Sequence, residues 1–309
     1  MIISASRRTD IPAFYSEWFL NRIKEGYLLV RNPMNYHQVS KIILDPNIVD
    51  CIVFWTKNPK NMIDKLPLLK DYKYYFQFTI TSYDSSIETN VPRKKEIIET
   101  FIRLSNIIGK DRVIWRYDPI LLNNKINEEY HYKYFEYLAS KLYKYTNKCI
   151  ISFLDMYKKT RNNIKYLNIK PLYKKDMIKI ASGLMNICNK YNLKLETCAE
   201  EIELNDIGIT HGKCIDDRLI SKLWGINLKI DKDKNQRKIC GCVSSIDIGT
   251  YNTCIHGCLY CYANFSEKSV KNNLKKHNPN SPLLLGNLEE TDKIFIKKIE
   301  SYRDGQLSF

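Results

Sequence analysis

The stretch DCIVFWTK, residues 50–57, is an almost unbroken apolar run. Such a run is typical of a strand that is buried on both faces of a parallel sheet. Further runs rich in β-branched and aromatic residues occur along the chain and have the length of strands. Together, the predicted strands are residues 2–6, 50–57, 74–82, 112–120, 149–157 and 193–201.

Amphipathic stretches separate these runs and predict helices. Two of them have Pro near the start and end at Gly26 and Gly109, which are helix start and stop signals. The predicted helices are residues 12–26, 92–109, 126–147 and 173–192. Strands that alternate with helices favour parallel βαβ units. The sequence therefore predicts an α/β protein with a full or partial (β/α) TIM-like barrel, and a doubly wound open sheet is the alternative.

Polar residues gather where the predicted strands end. In (β/α) barrels, functional groups collect at this end of the strands, so we expect these residues to form the rim of one pocket. Taken singly, some are equally consistent with turns or helix caps, for example Asp10 before Ile-Pro and Asp118 before Pro119. The rim candidates are Arg7, Arg8, Asp10, Lys57, Thr79, Thr81, Ser82, Arg116, Asp118 and Glu196.

The charged stretch DKDKNQRK, residues 231–238, predicts a connector. It divides the chain into an expected barrel, residues 1–230, and a Cys-rich C-terminal segment, residues 231–309. We expect that segment to pack over the barrel mouth.

The composition limits the function classes. The net charge of +15 favours nucleic-acid or phosphate-bearing partners, although the abundance of Lys, Asn, Ile and Tyr also fits a coding bias. No apolar run is long enough to span a membrane, and the first residues lack the pattern of a signal peptide. These features predict a cytoplasmic protein with no membrane partner.

The ten cysteines are concentrated in the last third of the chain. In a reducing compartment, clustered cysteines usually indicate a metal site or catalysis. Cys254, Cys258 and Cys261 have a Cys-x3-Cys-x2-Cys spacing, with Tyr260 directly before the last cysteine. Structural zinc uses four ligands in a closed site, whereas three thiolates on a four-iron cube leave one iron open.

The segment GTYNTCIHGCLYCYAN, residues 249–264, resembles the cysteine loop of the radical S-adenosylmethionine (SAM) superfamily, in particular its spore photoproduct lyase-like branch. Nearly the whole chain also resembles an uncharacterised domain family, DUF1848. That similarity rests on the phrases SASRRTDIP (4–12), FWTKNP (54–59) and WRYDP (115–119), followed by the cysteine run.

The radical SAM resemblance implies a [4Fe–4S] cluster on Cys254, Cys258 and Cys261. The open iron would bind SAM, and an electron from flavodoxin or ferredoxin would cleave it to a 5′-deoxyadenosyl radical. The candidate catalytic residues are Arg7, Arg8, Asp10, Lys57, Arg116 and Asp118, of which the arginines would bind a carboxylate or phosphate. The candidate SAM contacts are Thr79, Thr81, Ser82, Glu196 and Tyr260.

The position of the cysteine loop departs from the superfamily pattern. Radical SAM enzymes usually carry it after the first barrel strand, whereas here it follows six predicted strands. Either the barrel is circularly permuted, or a C-terminal extension places the loop over the mouth. In the first case residues 243–253 would supply a further strand.

Four more cysteines form a second candidate centre: Cys198, Cys214, Cys240 and Cys242. The Cys-x-Cys pair favours an additional iron–sulfur cluster, with zinc as the other option. The alternative is that they are buried small hydrophobic residues.

These observations lead to three hypotheses about function. The first is a radical SAM enzyme acting on a nucleic-acid or nucleotide-like substrate. The second keeps the radical chemistry but acts on a peptide or small metabolite with an auxiliary cluster. The third is a zinc-binding nucleic-acid interaction protein.

Overall fold

The computed structural model describes residues 1–156, 158–296 and 300–304. Its strands, in chain order, are β1 Ile2–Ala5, β2 Tyr27–Arg31, β3 Gln38–Ile43, β4 Cys51–Thr56, β5 Tyr74–Thr79, β6 Val113–Ile120, β7 Lys148–Phe153, β8 Lys194–Thr197, β9 Thr210–His211, β10 Ile246–Asp247 and β11 Lys293–Ile296. Every predicted strand is present. The run expected at 149–157 ends at Phe153, and Tyr157 lies outside the described residues.

Eight strands form one parallel sheet in the order β10-β1-β4-β5-β6-β7-β8-β9. The α/β architecture with a parallel sheet is therefore confirmed. Among the described strands the sheet does not close, because β10 and β9 lie at opposite edges and do not pair with each other. A full TIM-like barrel is thus not observed.

The helices are α1 Ile11–Phe14, α2 Ser16–Glu25, α3 Lys60–Ile63, α4 Lys94–Ile108, α5 Glu128–Leu142, α6 Lys158–Ile164, α7 Lys174–Lys190, α8 Asp217–Trp224 and α9 Glu267–Leu274. The four predicted helices are present, but the one expected at 12–26 is divided in two at Tyr15. Asp10 caps the first part by accepting a hydrogen bond from the Ala13 N–H at 3.0 Å.

The strand side chains alternate between two apolar cores. One core contains Ile3, Phe54 and Phe76, together with helix residues such as Phe101 and Phe135. The other contains alternate strand residues such as Ile2, Val53 and Tyr75, packed against α8 and the second cysteine set. This face of the sheet is therefore filled by residues around 214–243 instead of by side chains that meet across a closed barrel.

A second, smaller sheet was not predicted. It has the order β11-β3-β2, in which β2 and β3 form an antiparallel pair and β11 joins β3 in parallel. Both strands of the pair are short and half-buried, so they lack the long apolar runs that marked the main sheet. The segment from residue 231 onward thus supplies a strand to each sheet, β10 and β11.

No helix in the described parts of the chain is both long enough and apolar enough to cross a membrane.

Candidate functional site

A cavity of about 480 Å³ lies at the C-terminal ends of the main-sheet strands. All seven cysteines of the last third line it, three from the loop at 254–261 and four from the second set. Eight of the other predicted site residues line it too: Arg7, Arg8, Asp10, Lys57, Thr79, Arg116, Asp118 and Tyr260. The structure therefore brings the cysteine loop and the basic residues into one pocket.

The cysteine loop reaches this cavity because of where β10 lies. β10 pairs with β1 in parallel, with Ile3 opposite Ile246 and Ser4 opposite Asp247. The chain leaving β10 and the chain leaving β1 consequently emerge side by side at the same edge. Thr9 Oγ1 connects the two by donating to the carbonyl of Thr250 at 2.9 Å.

Asp247 is the polar centre of that junction. Its carboxylate accepts hydrogen bonds from Ser6 Oγ at 2.6 Å, the Arg7 N–H at 2.9 Å and Arg8 Nε at 3.1 Å. It also accepts one from the Gly249 N–H at 3.0 Å. Arg8, predicted as catalytic, is thereby used to hold the end of β1 against the start of the cysteine loop.

Asp10 and His256 form a second link between the two segments. His256 Nε2 lies 2.8 Å from Asp10 Oδ2, and both side chains are buried. The same carboxylate oxygen accepts a hydrogen bond from the Lys57 N–H at 2.7 Å. The ring of Phe14 packs against the imidazole with a centroid distance of 4.6 Å. Asp10 thus orients the loop and the end of β4 at once.

Glu88 lies beneath the loop and is almost fully buried. It pairs with Lys57 Nζ at 2.7 Å and with Lys94, and it accepts hydrogen bonds from Thr81 and Tyr260. Burial alone would raise the pKa of Glu88, but the charges of the two lysines outweigh it and hold the pKa well below its usual value. The carboxylate is therefore ionised and anchors the Tyr260 hydroxyl.

The backbone of the cysteine loop is held by residues that follow β5. The Asn90 N–H donates to the His256 carbonyl at 2.9 Å, and Asn90 Nδ2 donates to the Ile255 carbonyl at 2.8 Å. Gly257 has a φ of +65°, and an added Cβ there would lie 3.2 Å from Asn90 Nδ2. A glycine at this position permits both the turn and the close contact.

The thiols of the loop are protonated when no metal is bound. Burial raises the pKa of Cys258 to about 12 and raises the pKa values of Cys254 and Cys261 as well. A negative charge on Cys261 would also raise the pKa of both other thiols. Metal binding at this loop would therefore release protons.

The thiols of the second set also converge. Cys198 Sγ and Cys214 Sγ lie 2.9 Å apart, and Arg116 Nη1 donates to Cys214 Sγ at 2.7 Å. Hydrogen bonding to Cys214 lowers the pKa of Cys198 to about 7. Hydrogen bonding to Cys214 and Cys240, together with the charge of Arg7, holds the pKa of Cys242 well below its usual value. The thiolate is therefore favoured at Cys198 and Cys242, whereas hydrogen bonding within the set and burial raise the pKa values of Cys214 and Cys240.

The side chain of Trp55 lies between two arginines. The guanidinium carbon of Arg7 is 5.3 Å from the Trp55 ring, and that of Arg116 is 5.2 Å from it. Such distances are those of cation–π contacts. Trp55 thereby fixes both cations at the wall of the cavity, where Asp118 pairs with Arg116.

Residues 2–263 match the family model described as "Domain of unknown function (DUF1848)". The chain belongs to the DUF1848 family. The matched range includes every cysteine of the cavity, so the site belongs to the part that defines the family. No curated protein and no solved structure matches the chain.

Three predicted cofactor contacts of this DUF1848 protein do not line the cavity. Thr81 Oγ1 donates to Glu88 at 2.6 Å, and Ser82 Oγ bonds to the Tyr117 hydroxyl at 2.7 Å. Glu196 pairs with Lys148 and Lys194, at 3.0 and 2.6 Å. Thr81 and Ser82 come after the end of β5 at Thr79, and Glu196 lies within β8, two residues before Cys198. Each of the three side chains is bound to the partners named here instead of lining the cavity.

Sequence reasoning missed Glu88, Trp55 and Asp247 as parts of the site. Glu88 lies in a polar loop, SIETN (86–90), which carries no motif. Asp247 is the second residue of β10, which has only two residues and is therefore too short to show an alternating apolar pattern in the sequence. Trp55 belongs to the FWTKNP phrase, but its contacts with Arg7 and Arg116 depend on the order of the strands in the sheet, which the sequence does not show.

Within the part of the chain that the structure describes, no three or more Cys, His, Asp or Glu side chains are arranged to hold a single metal ion.

Proposed function

We propose that this protein is a radical SAM enzyme in which Cys254, Cys258 and Cys261 hold a [4Fe–4S] cluster. One observation carries the proposal: the cysteine loop follows β10, the strand beside β1, and its thiols line the cavity at the strand ends. If the strands of the sheet are counted from β10, the cysteine loop follows the first strand. This is the position of the cysteine loop in radical SAM enzymes. A circularly permuted, partial (β/α) barrel is part of this proposal.

The residues present fit such a cluster. The three cysteines are partly buried, line the same cavity and are free thiols among the described residues. The cavity volume of about 480 Å³ lies in the range of small-molecule sites. Three thiolates on one loop leave an iron for the amino and carboxylate groups of SAM.

When bound, the cluster would supply the electron that cleaves SAM to methionine and a 5′-deoxyadenosyl radical. The chain's own residues would position and enclose this reaction. Asp10 holds His256, and Glu88 holds Tyr260, so the loop has a fixed orientation. Lys57 lies against Glu88 and keeps a positive charge near Cys258, which favours the thiolate.

For the substrate, we propose a nucleic acid or nucleotide-like molecule. The net charge of +15 would attract such an anion, and Arg7, Lys57 and Arg116 line the cavity. Flavodoxin or ferredoxin is the proposed electron donor.

The test uses full-length protein purified and reconstituted without oxygen. With dithionite and SAM, we expect 5′-deoxyadenosine by liquid chromatography. Cys258→Ala should abolish it and lower the bound iron, whereas Cys188→Ala, a buried cysteine on α7, should leave both unchanged. An intact cluster on the loop without 5′-deoxyadenosine would refute the radical chemistry. Zinc in place of iron on these cysteines would favour the zinc-binding interaction protein.

A second candidate substrate class is a peptide or small metabolite. It is favoured by the second cysteine set, which lines the same cavity and is typical of an auxiliary cluster. Binding of RNA and DNA that weakens steeply with salt would support the nucleic-acid class. Binding that is absent or independent of salt would support the small substrate.

A further inference from the structure

We propose that Cys198, Cys214, Cys240 and Cys242 ligate a second iron–sulfur cluster that faces the same cavity as the cysteine loop. The inference goes beyond the radical SAM proposal and does not depend on it, because the two cysteine sets lie on separate segments. It follows from the convergence of four thiols, from the charges beside them and from buried donors that lack acceptors.

The first observation is the convergence itself. Cys198 directly follows β8 and the other three cysteines come up to 44 residues later in the chain, yet all four line the same cavity. Cys198 and Cys214 have sulfurs 2.9 Å apart, well beyond the ~2.05 Å of a disulfide bond. Cys214, Cys240 and Cys242 are buried. Four converging thiols are the complete ligand set of a [4Fe–4S] cluster.

The second observation is the charge beside the thiols. Arg116 donates to Cys214 Sγ at 2.7 Å, and both Arg116 and Arg7 lie within 5.3 Å of the ring centroid of Trp55. Two guanidinium groups against one ring repel each other, although Asp118 pairs with Arg116 and the charge of Asp247 acts on Arg7. An anionic centre on four thiolates would further stabilise both cations.

The third observation separates a cluster from a single ion. Arg7 Nη2 and Trp55 Nε1 are buried and have no hydrogen-bond acceptor among the described residues. Both residues line the same cavity as the second set, and Trp55 packs against the apolar cluster that includes Cys214, Cys240 and Cys242. Buried donors without acceptors call for a ligand that supplies them. The inorganic sulfides of a cluster accept N–H hydrogen bonds, whereas zinc adds no acceptor of its own.

The test isolates this site by removing the other one. In Cys254→Ser/Cys258→Ser/Cys261→Ser, reconstituted without oxygen, we expect about four irons and four sulfides per chain, against about eight of each in the unmodified protein. The reduced variant should give an electron paramagnetic resonance signal. Cys240→Ser/Cys242→Ser should lose about half of the iron, and Cys188→Ala should lose none.

A folded triple variant without iron and sulfide would overturn the inference, and so would stoichiometric zinc without sulfide at these cysteines. If the triple variant does not fold, the comparison of the unmodified protein with Cys240→Ser/Cys242→Ser decides. Equal iron content in that pair also overturns the inference. Because metal and sulfide are measured instead of 5′-deoxyadenosine, a failed radical reaction would leave this result unaffected.

Discussion

His256 Nε2 lies 2.8 Å from Asp10 Oδ2, which is 246 residues earlier in the chain. This buried contact joins the middle of the cysteine loop to the cap of α1. The carboxylate of Asp10 also accepts the Lys57 N–H and the Ala13 N–H, so the loop shares its anchor with two other elements.

The Asp10–His256 contact leads to the first prediction. His256→Ala should lower the free energy of unfolding by about 1–3 kcal/mol, because a buried carboxylate loses a hydrogen-bond donor. The variant should also hold less iron on the loop. Urea unfolding and iron analysis measure the two effects. His37→Ala removes a largely exposed imidazole and should change neither by much.

Glu88 leads to the second prediction. At pH 7, Glu88→Gln should cost about 3–5 kcal/mol of stability, because it leaves Lys57 and Lys94 as buried charges without their partner. The lysines hold the pKa of Glu88 below its usual value of 4.5. The carboxylate therefore stabilises the fold above pH 4.5, and this contribution is lost as the pH falls toward the lowered folded-state pKa.

Urea unfolding of Glu88→Gln and the unmodified protein, at several pH values from 7 to 3, measures this difference. We expect the gap between the two proteins to narrow in acid. Tyr260→Phe removes only a hydrogen bond to the same carboxylate and should cost about 1 kcal/mol. A gap that stays constant down to pH 3 would contradict the assigned role of Glu88.

Glu200 leads to a third prediction, of opposite sign. Burial raises the pKa of Glu200 to about 7, although the carboxylate accepts a hydrogen bond from the Phe153 N–H at 2.8 Å. The protonated form is thus favoured in the folded state. Protonated Glu200 therefore makes its full contribution to stability below its usual pKa of 4.5. This contribution is lost as the pH rises through the folded-state pKa of about 7.

Glu200→Gln resembles the protonated acid and keeps the acceptor for Phe153. At pH 8 this variant should be more stable than the unmodified protein by on the order of 2 kcal/mol, after allowance for the partial exposure of Glu200. At pH 4 the two should agree. Thermal unfolding at both pH values tests this, with Glu201→Gln at the exposed neighbouring residue as the control. Equal stability of Glu200→Gln and the unmodified protein at pH 8 would show that burial does not raise the pKa of this carboxyl.

Gly249 leads to a fourth prediction, because it lies where β10 passes into the cysteine loop. A Cβ there would lie 2.6 Å from Ser6 Cβ and 2.7 Å from Thr9 Oγ1, and it would also contact Ser6 Oγ. Gly249→Ala should cost about 1–3 kcal/mol and push the loop away from β1. Iron on the loop should fall together with the stability.

Gly26→Ala provides the matched control for this prediction. Its φ is +73°, but an added Cβ would meet no atom of the described residues within 4 Å. It should therefore cost about 1 kcal/mol of stability through backbone strain alone and leave the iron unchanged. If Gly249→Ala retains all the iron, close contact between the loop and β1 is not needed for metal binding.

The main sheet was predictable because its strands are buried on both faces. Runs such as 50–57 and 112–120 have few polar residues, and each appears in the structure as a parallel strand. β2, β3 and β11 were missed because they are short and partly exposed. Whether the sheet closes into a barrel was not predictable from periodicity, since the apolar pattern of a strand does not reveal whether α8 or another strand covers its inner face.

The residues of the cavity were partly predictable for a similar reason. Functional groups collect at the carboxyl ends of parallel strands, and three basic residues follow or end apolar runs in the sequence. This placed them at one edge of the sheet: Arg7, Lys57 and Arg116. Thr81 and Glu196 satisfy the same rule but turn toward Glu88 and Lys148. Glu88 could not be found because its partners Lys57 and Lys94 come together only when the chain is folded.

The pairing of β10 with β1 also determines the order in which the protein can be assembled. The Thr9 hydroxyl donates a hydrogen bond to the carbonyl of Thr250, which lies 241 residues further along the chain. On the ribosome, β1 emerges well before β10, so among the described strands the edge of β1 opposite β4 has no partner until β10 follows. The loop cysteines leave the ribosome later still, so the cluster that we propose for them would be inserted into a nearly complete sheet, as a late step of synthesis.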